Sequence, residues 1–164
     1  MGTIFAGPVR HTEALEGQRR AGFLHGRGVV LNNVADAYLG LGQVTDAIRC
    51  LREAQEIFSE TRDDRGQGNV LQLLGDAYLQ ESHIKEGLDC PQRAVEILHA
   101  TRDRPGEAQA LFRLGRAYIQ GDLQDEARRH LTGAHAIFRE LGDDAQAAAA
   151  WKEYAMIPPS GENM

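Results

Sequence analysis

Leu71-Gln-Leu-Leu-Gly-Asp-Ala-Tyr78 decides the fold of this chain, because close variants of it stand 40 residues to either side. They are Leu31-Asn-Asn-Val-Ala-Asp-Ala-Tyr38 and Leu111-Phe-Arg-Leu-Gly-Arg-Ala-Tyr118, in register without a gap. The register continues through Ala47, Gly87 and Ala127, through Ala54, Ala94 and Ala134, through Ile57, Ile97 and Ile137, and through Asp63, Asp103 and Asp143. A fixed period of this length marks a repeat architecture, in which each unit is one supersecondary element.

Within a unit the apolar spacing is helical. Leu71, Leu74, Gly75 and Tyr78 fall at i, i+3, i+4 and i+7, one face of a 3.6-residue turn, and strand alternation is absent. Ala47, Leu51, Ala54, Ile57 and Phe58 repeat that spacing after a break at Gly42, so each unit reads as a helical hairpin. Asp63-Asp64, Asp103-Arg-Pro105 and Asp143-Asp144 supply carboxylates that cap the next helix, and Pro105 falls where a first-turn residue needs no amide hydrogen. Ala35, Gly75 and Gly115, with Ala47, Gly87 and Ala127, are short enough for two helices to cross at about 8–10 Å. A lone hairpin cannot cover its own apolar stripe, and roughly three stacked units are the practical minimum. Pro91 breaks the pattern: it stands where Leu51 and Leu131 stand in the other units, and it predicts a kink or a shortened helix.

These residues resemble the tetratricopeptide repeat. Leu71, Leu74, Gly75, Tyr78, Gly87 and Ala94 follow its signature in the middle unit, as do Leu111, Leu114, Gly115, Tyr118, Ala127, Leu131 and Ala134 in the third. The resemblance implies an all-α, right-handed superhelical solenoid of antiparallel helix hairpins. The usual unit has about 34 residues, so the 40-residue unit and the Asn32-Asn33 pair resemble a longer-helix subtype. That subtype occurs in kinesin-light-chain-like arrays and in the sensor regions of bacterial transcriptional activators that govern antibiotic synthesis.

The frame divides the chain into three full units over about 27–64, 65–104 and 105–144, with partial units at both ends. Residues 1–26 read as the second helix of an earlier unit, with Ala14 and Gly26 at the register of Ala54 and Gly66. Residues 145–157 read as a capping helix, with Trp151 at the register of Leu111 and an end near Met156 before Pro158-Pro159. Residues 158–164 are expected to form a disordered tail.

Composition narrows the function classes. With 42% hydrophobic and 26% charged residues the chain matches a globular protein. It has neither an uninterrupted apolar run of about 18 residues nor a charged-then-apolar leader, so no membrane span or secretory signal is expected. A net charge of −6 disfavours binding along a nucleic-acid backbone. The only lysines are Lys85 and Lys152, an arginine excess that points to a GC-rich bacterial source. Cys50 and Cys90 hold equivalent positions in adjacent units and read as packing residues, and cysteines this few fit a reduced, cytoplasmic setting. His11, His25, His83, His99, His130 and His135 are scattered, so no metal site is expected. No phosphate loop, nucleophile elbow, H-E-x-x-H or paired C-x-x-C is present. The reading is therefore a protein without catalytic residues or cofactor.

The resemblance places the site on the concave face, lined by the first helix of each unit. Carried over residue by residue, the groove positions are Asn32, Asn33, Asp36 and Leu39, then Asn69, Gln72, Asp76 and Leu79, then Gln109, Phe112, Arg113, Arg116 and Ile119. Asparagine and glutamine donate and accept, so they suit the backbone of an extended peptide. The charge changes sign from Asp36 and Asp76 to Arg113 and Arg116; this either orients a dipolar or acidic peptide or reflects an internal Asp76–Arg116 pair. The expected partner is a peptide, a protein, or another domain of a larger regulator. The alternative is a self-associating scaffold or adaptor that uses its exposed terminal helices.

Overall fold

The computed structural model describes the backbone of residues 7–158 and side chains from residue 16 onward. Among these residues the chain forms α1 (Gly7–Gly40), α2 (Val44–Glu60), α3 (Asp64–Gln80), α4 (Ile84–Ala100), α5 (Arg104–Gln120), α6 (Gln124–Glu140) and α7 (Asp144–Met156). Each helix packs on the next, and α3 also touches α1 and α5, so the odd-numbered helices form one layer and the even-numbered helices the other. This is an all-α solenoid of helix hairpins.

All six turns are built alike. A residue with positive φ occurs every 20 residues: Gly42 (72°), Arg62 (53°), Ser82 (62°), Arg102 (58°), Asp122 (57°) and Gly142 (74°). The amide of the residue that follows each of them donates to the carbonyl five residues back, as from Gln43 to Tyr38 (2.9 Å) and from Asp103 to Leu98 (2.9 Å). This is the Schellman closure of a helix C-terminus. The following residue is also the N-cap of the next helix. Between units that residue is an aspartate whose carboxylate accepts from the backbone: Asp63 from Gly66 (2.9 Å), Asp103 from Gly106 (3.1 Å) and Asp143 from Gln146 (3.0 Å). Within units it is Gln43, His83 or Leu123, without a side-chain cap.

The small residues act as seats. A Cβ placed on Gly115 would lie 2.7 Å from Leu131 Cγ, and one on Gly75 would lie 2.7 Å from Pro91 Cδ. The pyrrolidine ring thus fills the space that Leu131 fills in the third unit, and Pro91 is fully buried. The expected shortening at Pro91 is absent, since α4 has the same 17 residues as α2 and α6. Between units, Phe58 lies in the joint formed by Gly28 and Gly66, whose added Cβ atoms would approach its ring to 2.9 and 2.4 Å. Leu98 fills the equivalent joint between Gly68 and Gly106.

The N-terminal end departs from the expected division. No turn separates residues 7–26 from the first full unit, because α1 runs unbroken from Gly7 to Gly40, and residues 1–6 lie outside the described residues. Among the described residues, nothing lies within 4 Å of a Cβ placed on Gly17, Gly22 or Gly26 of this helix. At the other end α7 stops at Met156, Ile157 is extended, and the expected tail beyond Pro158 lies outside the described residues.

Candidate binding groove

Because the odd-numbered helices share one layer, side chains three or four apart on α1, α3 and α5 meet across it. Asn32, Asn33, Asp36, Asn69, Gln72, Gln109 and Arg113 line one recess of about 290 Å³, together with Arg65, Leu73, Pro105 and Gly106. A second recess of about 430 Å³ is lined by Asp36, Leu39, Asp76, Leu79, Arg113 and Arg116, with Gly40, Gln80 and Gln120 at its far edge. Asp36 and Arg113 border both, so the two recesses are adjacent along the layer.

The amide end makes few bonds of its own. Asn32 Oδ1 is buried with no hydrogen-bond partner, and Gln72, only 4% exposed, reaches just its own helix at Gly68 O (3.5 Å). A buried acceptor left unpaired costs about 1–3 kcal/mol. The charged end is internally paired. Arg113 bonds Asp76, and Arg116 Nε lies 3.6 Å from Glu153 Oε1 on α7. Burial draws the Arg113 guanidinium below its usual range, Asp36 opposes that shift, and Arg116 adds to it.

Two sequence expectations need correction here. Asp76 pairs with Arg113 rather than Arg116. Neighbouring first helices meet one turn out of register, which puts position 113 opposite 76 and position 153 opposite 116. Phe112 does not line either recess; it packs against the core cluster that includes Ala134, Phe138 and Ala147 at the joint with α6 and α7, and against Leu131 and Ile157 beside it. The 32/72/112 register borders the next unit, so a polar residue there faces the recess and an apolar one turns into the core.

Arg65, Pro105 and Gly106 were missed because they belong to helix first turns rather than to the repeated string. Arg65 closes that end through an ion pair from Nε to Asp103 Oδ2 (2.9 Å).

Outside the groove several titratable residues are engaged in packing or ion pairs. His130 stacks on Tyr118 (5.1 Å between ring centroids, 6° between planes), and burial, with Arg129 nearby, lowers its pKa. His135 Nδ1 meets the Ala147 carbonyl at 2.9 Å, and its ring lies against Trp151. His99 and Arg104 flank the buried Glu107 carboxylate at 2.8 and 2.9 Å. Cys50 and Cys90 are free thiols in one core cluster, and burial pushes the Cys90 thiol up. Among the described residues no cluster of His, Cys, Asp and Glu has the arrangement of a metal site, and no helix is long and apolar enough to cross a membrane.

Comparison with known proteins agrees with this architecture. One tetratricopeptide-repeat model matches residues 26–98 and a second matches residues 109–133, together more than half of the chain. No curated protein matches it. The chain belongs to the tetratricopeptide repeat family, whose arrays serve as scaffolds for protein–protein interaction.

Proposed function

We propose that this chain is a non-catalytic scaffold that binds an extended peptide of a protein partner along the layer of α1, α3 and α5. The observation that carries the reading is the row of amides Asn32, Asn69, Gln72 and Gln109, which the first helices of three successive units, α1, α3 and α5, bring to one recess. Amide side chains match the alternating donors and acceptors of a peptide backbone. The Asp76–Arg113 pair leaves both groups part of the surface, so an acidic or basic side chain of the peptide exchanges with one of them there.

The finer reading is that the array is the sensor or interaction part of a bacterial transcriptional regulator in the cytoplasm. It rests on the 40-residue unit and the arginine-rich composition, and it adds no residue to the site.

The test is fluorescence polarisation with peptides selected from an unbiased displayed library. Wild type is compared with a variant carrying Asn32→Ala, Gln72→Ala and Arg116→Ala. Loss of binding by tenfold or more, with the melting temperature little changed, supports the groove. Equal binding by both proteins refutes it.

A further inference from the structure

The charges of the groove do not balance. Its three arginines are each held by a carboxylate: Arg65 by Asp103 (2.9 Å), Arg113 by Asp76, and Arg116 by Glu153 (3.6 Å). A fourth carboxylate, Asp36, borders both recesses, and among the described residues it has neither a hydrogen bond nor an ion pair. The offset between neighbouring first helices explains why. Asp76 meets Arg113 and Arg116 meets Glu153, each 37 residues on, whereas the residue 37 positions beyond Asp36 is Leu73, which offers no charge. Arg113 feels Asp36 through space but spends its bond on Asp76.

The unspent groups around Asp36 are acceptors. Asn32, one turn earlier on the same face of α1, keeps a buried Oδ1 without a partner. Gln72, more than nine-tenths buried on α3 in the same recess, uses only its NH2 end, against Gly68 O of its own helix at 3.5 Å, and its carbonyl oxygen accepts nothing. Two amide oxygens and an ionised carboxylate together call for a group that carries several donors and a positive charge. A guanidinium, with five donors in a plane, meets that need better than an ammonium. Leu73 lines the same recess and gives the methylene stem of such a side chain an apolar contact. A basic group at Asp36 also displaces no existing pair, whereas an acidic group at Arg65, Arg113 or Arg116 has to compete with Asp103, Asp76 or Glu153.

We propose that Asp36, together with the side-chain oxygens of Asn32 and Gln72, seats a basic side chain of the bound peptide, arginine in preference to lysine. This rests on the reading of the groove as a peptide site and adds the class of residue that anchors the peptide there. The seat lies where the two recesses adjoin, so the basic residue falls within the bound segment, with peptide backbone to either side of it.

The test is selection from a displayed library of random peptides, run in parallel against the full chain as wild type and as Asp36→Asn. That substitution alters an exposed side chain and breaks no bond, and circular dichroism confirms folding. The net charge of −6 favours basic peptides in general, so the comparison at Asp36 decides rather than basic preference alone. Wild type should enrich arginine, and lysine less, at one fixed position, and Asp36→Asn should enrich the same flanking residues without it. Fluorescence polarisation then compares the leading peptide with a form carrying glutamine in place of its basic residue. The exchange should weaken binding to wild type about tenfold and to Asp36→Asn little, with a smaller difference at high salt. An equal basic preference in both proteins, or enrichment of acidic or neutral peptides by wild type, overturns the seat at Asp36 and leaves the groove reading standing. Enrichment of no peptide by either protein overturns both.

Discussion

Helix α3 has two faces with opposite requirements. Its core face is small and closely fitted: Gly66 against Phe58, Gly68 against Leu98 and Gly75 against Pro91, each with less than 3 Å of room for a Cβ. Its groove face carries Asn69, Gln72 and Asp76, polar side chains that its own fold pairs only in part. The difference teaches where each kind of information resides. The core face is dictated by the neighbouring helices and repeats with the period, whereas the groove face is polar, is only partly satisfied by the fold, and varies from unit to unit.

Substitutions on the two faces should therefore behave differently. The largest effect expected is at Gly66: Gly66→Leu forces a side chain onto the Phe58 ring and should lower stability by about 3 kcal/mol in a denaturant titration. Asn69→Ala, one turn later on the exposed face, should stay within about 0.5 kcal/mol of wild type. Equal losses at the two positions would break the distinction.

The caps sharpen it. Asp103 both caps α5 and pairs with Arg65, while Asp143 caps α7 at an exposed end. Asp103→Ala should cost about 2 kcal/mol and Asp143→Ala about 1, read as separate shifts in the denaturation midpoint. Smaller still is the turn effect. Arg62 and Arg102 sit at positive φ, where a side chain is disfavoured by roughly 1 kcal/mol, so Arg102→Gly should raise stability by about 0.5 kcal/mol net of chain entropy. The same change at Arg104, the first residue of α5 and paired with Glu107 and Glu140, should instead lower it.

A smaller, pH-dependent effect belongs to His130, whose ring is partly buried. Its folded pKa is lowered, so the folded state disfavours the charged ring. That contribution is fully present above the ordinary histidine pKa of about 6.5 and is lost as pH falls below it. His130→Gln should remove that part of the acid sensitivity, measured by thermal melts from pH 7.5 to 5.5.

The period, the hairpins and the aspartate caps were legible because packing and capping act on every unit alike, leaving Leu74, Gly75, Tyr78 and Asp63 with counterparts 40 residues on. The finer 20-residue turn register was hidden, since its positions are held by Gly42, Arg62, Ser82, Arg102, Asp122 and Gly142, and backbone hydrogen bonds rather than residue type enforce the turn. The unbroken α1 was hidden for the complementary reason: Gly22 permits a turn without requiring one. In the groove, most carried-over positions come together, but the string could not reveal the one-turn offset that pairs Asp76 with Arg113, nor that Phe112 turns inward.

The central claim is that the groove face is kept for a ligand. It is tested most directly by following the side-chain amide resonances of Asn32, Asn69, Gln72 and Gln109 by NMR during titration with a peptide selected for binding. The account predicts that these resonances shift together and saturate with the binding curve, while the Trp151 indole resonance at the capping helix stays in place. Shifts confined to Trp151 and its neighbours, with the groove amides unmoved, would contradict it.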